Sequence, residues 1–181
     1  IIDPGVPALY RQKLPAAMAV GIVYGKLSGL PQVEELGTLE APIALTNTLA
    51  VGPVLRGVVD LVLSSEDIQP LETINVVVGE TNDGFLNDIH QNVVTADDVR
   101  AAYADRSIHV VSGNVGAGTG TRAFAWKGGI GTASRIVSVE ATSYTVGALL
   151  QTNFGGVLSI MGVPVGVNLG VADESVAPPL S

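Results

Sequence analysis

The chain contains no cysteine. That excludes disulfides, cysteine-ligated zinc and a thiol nucleophile, and it leaves cytosol and periplasm equally open. Only two histidines are present, His90 and His109. Neither stands at metalloprotease spacing, so neither a histidine zinc site nor a Ser-His-Asp triad is expected within this chain. Basic residues are scarce as well: nine Lys and Arg against seventeen Asp and Glu, a net charge of −8. With no basic cluster, a nucleic-acid partner is not expected, because phosphate binding is led by Lys and Arg. No long apolar run escapes interruption by Gly, Pro or charge, so no membrane span is expected.

What is abundant is apolar surface. Apolar residues make up 47% of the 181 and charged residues only 14%. One domain of this length can build a real core. This much apolar surface further points to buried sheets, a partner chain, or both. The ends read as cut. The start, Ile1-Ile2-Asp3-Pro4-Gly5, lacks Met and looks entered at the end of a strand. The end, from about 167 to Ser181, reads as a polar, Pro-containing, flexible tail. A fragment, or one product of a processed precursor, is the expected origin.

Along the chain, Ala16–Tyr24 reads as a strand, 25–31 as a loop and Pro42–Thr46 as a short strand. Thr46-Asn47-Thr48 offers caps for a helix through Leu63. Val51, Val54, Leu55, Val58, Leu61 and Val62 fall at helical spacing, and Pro53 requires a place in the first turn. Ile74–Val78, apolar except for Asn75, is of strand length and reads as a buried strand. Thr95 is a good N-cap for a helix carrying Asp97 and Asp98 in its first turn and Val99, Ala102 and Tyr103 on its apolar face. Strands are then expected at Ile108–Val111, Thr121–Trp126, Ala133–Val139, Tyr144–Gln151 and Val157–Met161. The mixture predicts a layered α/β domain.

Several segments could carry chemistry. Val146 to Gly156 reads as a buried strand ending in Asn153 and two glycines. A neutral donor on a rigid mount suits an oxyanion site; the simpler reading is a tight turn with Asn153 bonding its own backbone. Gly79-Glu80-Thr81-Asn82-Asp83-Gly84 follows a buried strand. There a carboxylate could hold an ammonium group, or the segment is only a turn. Gly113 to Thr121 is glycine-rich but has neither dinucleotide nor P-loop spacing, and reads as a close-packed turn where backbones cross. Lys127 and Arg135 border a second glycine cluster and could bind a carboxylate or simply be solvated. No motif calls for a cofactor or a metal.

Taken together, these segments resemble one family. The 79–84 motif, Asn114-Val115-Gly116-Ala117-Gly118-Thr119-Gly120, Lys127-Gly128-Gly129-Ile130-Gly131-Thr132, Tyr144-Thr145-Val146-Gly147 and Gln151-Thr152-Asn153-Phe154-Gly155 occur in order. Leu36 to Ile43 and Leu45-Thr46-Asn47-Thr48 precede them. The chain resembles the α chain of the L-aminopeptidase/D-esterase family, which includes the β-peptidyl aminopeptidases, from about Arg11 to about Gly166. The resemblance implies a four-layer αββα sandwich like that of N-terminal-nucleophile hydrolases, with different connectivity and completed by a second chain. It implies a precursor that cleaves itself into α and β chains, with the new N-terminal Ser of the β chain as nucleophile and four αβ units together. By the same resemblance, Asn153 is the oxyanion donor and Glu80 receives the substrate's free amino group. Asn82 bears on selectivity: the β-residue branch has Asn there and the L-aminopeptidase branch a bulkier Tyr. An Asn-Ser or Gly-Ser self-cleavage junction does not occur near the end of the chain. The alternatives are L-aminopeptidase/D-alanyl esterase-amidase chemistry of the same family, an acyltransferase of related architecture, or a nucleotide-binding module on the 113–120 loop.

Overall fold

The computed structural model describes residues 1–21, 24–65 and 72–171. The tail expected near the end therefore lies, from 172, outside the described residues. The elements are β1 (Leu14–Pro15), α1 (Leu30–Leu36), β2 (Thr38–Leu39), β3 (Ile43–Asn47), α2 (Val51–Leu63), β4 (Val77–Thr81), α3 (Ala96–Ala104), β5 (Arg122–Ala123), β6 (Trp126–Lys127), β7 (Ile130–Val139), β8 (Thr142–Gln151) and α4 (Val165–Asn168). They fall into two compact units. One comprises Ile1–Thr81 and Ile89–Ile108, the other Asn82–Asp88 and His109–Ser181.

The first unit is built on a βαβ crossover. β3 and β4 pair in parallel, Ile43 opposite Val77 through Asn47 opposite Thr81, with α2 as the connection. A parallel pair needs such a crossover and buries its strands on both faces, in keeping with the buried Val76, Val77 and Val78, although β4 starts at Val77 rather than at the expected Ile74. The core gathers Ala41, Ala44, Ala50, Val54, Val58, Val76, Val78 and Val99. Burying Val58 or Val78 completely contributes about 1.5–3 kcal/mol each. α2 begins where the carboxamide of Asn47 accepts from the N–H groups of Leu49 and Ala50, at 3.1 and 3.0 Å. Pro53 sits in its first turn, where no helical N–H is needed. α3 starts at Thr95, whose N–H and hydroxyl both donate to the Asp98 carboxylate, at 2.7 and 2.8 Å.

α2 and α3 meet at Gly57. A Cβ placed there would lie 2.6 Å from Val99 Cγ2 and 3.0 Å from the Ala96 backbone. Gly57→Ala is therefore expected to destabilise. Overpacking costs about 1–3 kcal/mol, against a helix-propensity gain of about 1 kcal/mol. A thermal midpoint equal to or above wild type would show that α3 can shift to make room.

A second feature of this unit is Glu40, almost fully buried. Its Oε2 takes Lys13 Nζ at 2.7 Å, and its Oε1 takes the Asn75 N–H at 2.7 Å. Burial pushes this carboxyl up. The hydrogen bonds from Lys13 and the Asn75 backbone, with the Lys13 charge, outweigh it and hold the group below its ordinary 4.5. Folded, Glu40 thus binds its proton less readily than in the unfolded chain. The stability it supplies is complete above about pH 4.5 and is lost as pH falls through the lower folded value. Glu40→Gln should flatten the loss of stability across that acid window, read by denaturant midpoints from pH 6 to pH 3. An unchanged slope would mean Glu40 titrates normally.

The second unit is dominated by the β7–β8 hairpin, ten residue pairs from Ile130 opposite Gln151 to Val139 opposite Thr142. The strand expected at Tyr144–Gln151 is present, as part of β8, but its burial is not. Val146 is 59% exposed and Leu150 53%. These side chains share a face with Val137, Val139 and Tyr144, also exposed, and no described residue covers it.

Three expected strands are not formed among the described residues. Of Ala16–Tyr24, only Ala16 makes a strand-like bond, its N–H to Gly37 O, and residues 22 and 23 lie outside the described residues. Ile108–Val111 has no ladder and is largely exposed. Val157–Met161 is broken by a tight turn, with Met161 and Gly162 at φ 50° and 84° between Ile160 and Val163. In each case apolar character without a neighbouring strand makes no strand. Thr121–Trp126 is instead a small hairpin, β5–β6, reversing at Phe124 and Ala125, both at positive φ. The 25–31 loop ends early, because α1 begins at Leu30. Pro31 in its first turn and left-handed Gly37 after its end were readable signs of it.

Candidate active site

Glu80 is the fourth residue of β4, at the carboxyl end of the parallel pair. Ligands gather at that end of open α/β sheets. Its Oε1 accepts the backbone N–H of Lys26 at 2.9 Å. A Cβ at Gly25 would stand 2.6 Å from the same oxygen, so a side chain there would push the end of the Glu80 side chain aside. The Lys26 ammonium is turned elsewhere, donating to Thr48 Oγ1 at 2.8 Å. Among the described residues no cation pairs with Glu80. The result is a half-buried carboxylate, fixed by a peptide N–H and open to a charged donor.

Thr81 is the last residue of the first unit here and Asn82 the first of the second. Asn82 opens a turn, its Oδ1 accepting the Gly84 N–H at 2.9 Å. Its backbone is gripped by Asn153, two residues beyond β8. The Asn82 N–H donates to Asn153 Oδ1 at 2.9 Å, and Asn153 Nδ2 donates to Asn82 O at 3.0 Å. Nδ2 also donates to Arg122 O at 3.1 Å. The expected alternative, Asn153 bonding its own neighbourhood, does not occur. Its carboxamide instead ties two distant segments, at Asn82 and Arg122, and its oxygen and nitrogen are told apart by what they face.

The turn after Asn82 is anchored at Asp83, which is buried. Asp83 Oδ2 accepts Asn87 Nδ2 at 2.7 Å, and Asn87 reaches on to Thr119 O at 3.1 Å. Asp83 Oδ1 has no partner among the described residues.

The glycine-rich segment is a backbone crossing. Gly113 and Ile130 exchange both backbone bonds, and a Cβ at Gly129 would lie 2.4 Å from Gly113 O. A Cβ at Gly118 would meet Ile130 N at 2.7 Å. The N–H groups of Gly113, Val115, Gly118, Thr119 and Gly120 are taken up by bonds within the protein, as in Gly120 to Asn114 Oδ1, and so do not serve a phosphate cradle. Arg135 lies on the exposed hairpin and donates to Ser134 O; Lys127 is exposed on β6. The described residues hold no cluster of three potential metal ligands.

The family model of peptidase family S58 matches residues 1–176. The chain belongs to peptidase family S58. It is 42% identical over 149 residues to a β-peptidyl aminopeptidase of Sphingosinicella microcystinivorans, covering 80% of this chain and 37% of that protein. The corresponding enzyme of Sphingosinicella xenopeptidilytica is 42% identical over 146 residues, 78% of this chain and 36% of that one. The S58 chain thus spans well under half the length of these curated relatives. Among solved structures, a Pyrococcus horikoshii protein superposes with a TM-score of 0.85 at 46% identity, over 90% of this chain and 47% of that one. The L-aminopeptidase D-Ala-esterase/amidase of Ochrobactrum anthropi gives 0.72 at 39%, over 80% and 42%. A Burkholderia β-aminopeptidase gives 0.73 at 39%, over 87% and 44%. The Ochrobactrum enzyme is described as a variant of the N-terminal-nucleophile hydrolase fold, and the S58 chain carries that fold.

The residues missed by sequence reasoning are those around Glu80: Gly25, Lys26 and Thr48. Nothing local marks them, since Lys26 and Glu80 are 54 positions apart.

Proposed function

We propose that this chain is the α-chain part of an S58 aminopeptidase that releases N-terminal residues, preferably β-amino acids, from short peptides and amides. The observation that carries the proposal is the Glu80 carboxylate, held at a strand end by one backbone N–H and, among the described residues, left without a cation. It is suited to a substrate's free ammonium by a charge-assisted hydrogen bond. That requirement separates an aminopeptidase from an endopeptidase.

In this reading the nucleophile is the N-terminal Ser of a β chain cut from the same precursor, with its own amine as base. The uncovered apolar face of β7–β8, with Val137, Val139, Tyr144, Val146 and Leu150, supports a second chain that completes a four-layer αββα sandwich. Four such αβ units form the assembly. Asn153 supplies the oxyanion donor. Both Nδ2 hydrogens now point at carbonyl oxygens, so one of these bonds is shared when negative charge develops on the substrate.

Intact masses and N-terminal sequencing of the purified full-length gene product test the processing. Two stoichiometric chains, one beginning with Ser, are expected; a single uncut, active chain would overturn it. Asn82 sets the choice of substrate, because a β-amino acid places its ammonium one bond, about 1.5 Å, further from the scissile carbonyl. The wild type is expected to prefer β-alanine anilide over L-alanine anilide, and Asn82→Tyr to shift the ratio of kcat/KM values toward the α-substrate. An unchanged ratio would remove Asn82 from the specificity site and favour the L-aminopeptidase reading.

A further inference from the structure

We propose that Lys26 is a positioning residue for Glu80, and that Thr48 keeps its ammonium from occupying the site meant for substrate. The inference rests on the reading of Glu80 as the amino-group acceptor.

Lys26 meets Glu80 only through its backbone. The N–H bond to Oε1 orients the carboxylate and leaves Oε2 without a partner among the described residues. Yet the same residue carries a primary ammonium, the very group Glu80 is argued to bind. With its backbone N only 2.9 Å from Oε1, Lys26 has Glu80 within the sweep of its own side chain. An internal ion pair there would compete with every substrate.

The structure shows what prevents it. Lys26 Nζ is held at 2.8 Å by the hydroxyl of Thr48. Thr48 is itself fixed, its N–H donating to Thr81 O at 2.9 Å, one residue past Glu80. The hydroxyl gives the ammonium a neutral acceptor that does not cancel the charge of Glu80. With no Cβ at Gly25, nothing displaces the Glu80 carboxylate from the Lys26 N–H. A hydrogen bond from a peptide group pre-orients the carboxylate without neutralising it, and so lowers the cost of organising the site on binding.

The test is a double-mutant cycle in the full-length protein, with β-alanine anilide as substrate. Thr48→Val keeps the shape and the backbone bond and deletes the hydroxyl. It is expected to raise KM about fivefold, the scale of competition from an exposed ion pair, while kcat holds. In a Lys26→Met background the same Thr48→Val change is expected to leave KM where Lys26→Met alone puts it. A purely structural role for Thr48 would instead lower kcat or the thermal midpoint equally in both backgrounds. An equal rise in both backgrounds, or no rise in either, overturns the proposal. Glu80→Gln is measured alongside. If it leaves kcat/KM for the free-amine substrate unchanged, the reading of Glu80 has failed. If it lowers kcat/KM while the cycle shows no coupling, only the role of Lys26 and Thr48 has failed.

Discussion

Glu80→Gln is expected to lower kcat/KM for β-alanine anilide by about 10- to 150-fold, the equivalent of the ~1.5–3 kcal/mol of a hydrogen bond to a charged group. The change keeps the size of the side chain and the acceptor for the Lys26 N–H, so the loop at Gly25 and Lys26 should stay in place. What it removes is the charge proposed to face the substrate ammonium. Most of the loss should appear in KM if the amino group is held equally in ground and transition states, and in kcat if it aligns the carbonyl only at the summit. Thermal stability should change little, because no cation is left unpaired within the described residues. Retention of full activity on free-amine substrates would sink the assignment of Glu80.

The second large effect is expected at Asn153. Asn153→Asp keeps an oxygen for the Asn82 N–H but deletes the Nδ2 donor. Loss of one oxyanion donor typically costs ~2.7–4 kcal/mol, or about 10²- to 10³-fold in kcat. A new carboxylate would also face the carbonyl oxygens of Asn82 and Arg122, so some loss of stability should accompany it. Kinetics separates the two roles. A donor to the oxyanion acts on kcat with KM nearly constant. If the thermal midpoint falls while kcat is preserved, Asn153 only clamps the Asn82 turn and the oxyanion donor lies elsewhere.

The legible parts of this protein are the locally encoded ones. The spacing of Val51, Val54, Leu55 and Val58 writes the α2 helix and its buried side. Thr95 with Asp98 writes the start of α3. The apolar run ending at Val78 and the turn residues after it place Glu80 and Asn82 at a strand end. Apolar runs at 16–24, 108–111 and 157–161 misled, because strand formation depends on a neighbouring ladder that composition cannot supply. The burial expected of β8 failed for a related reason. Alternation shows which side chains want cover, not whether the same chain provides it.

By itself the sequence excluded thiol chemistry within this chain, gave no pattern for a histidine-based site, carried the S58 motifs in order, and named Glu80, Asn82 and Asn153 as candidates. Only the tertiary structure decided how they are held. The Asn153 carboxamide grips the backbone of a residue 71 positions away, and Glu80 takes its hydrogen bond from a loop 54 positions earlier. Such bonds depend on where two distant backbones cross in space. Local periodicity and propensity describe the chain over a few residues, and so cannot encode them.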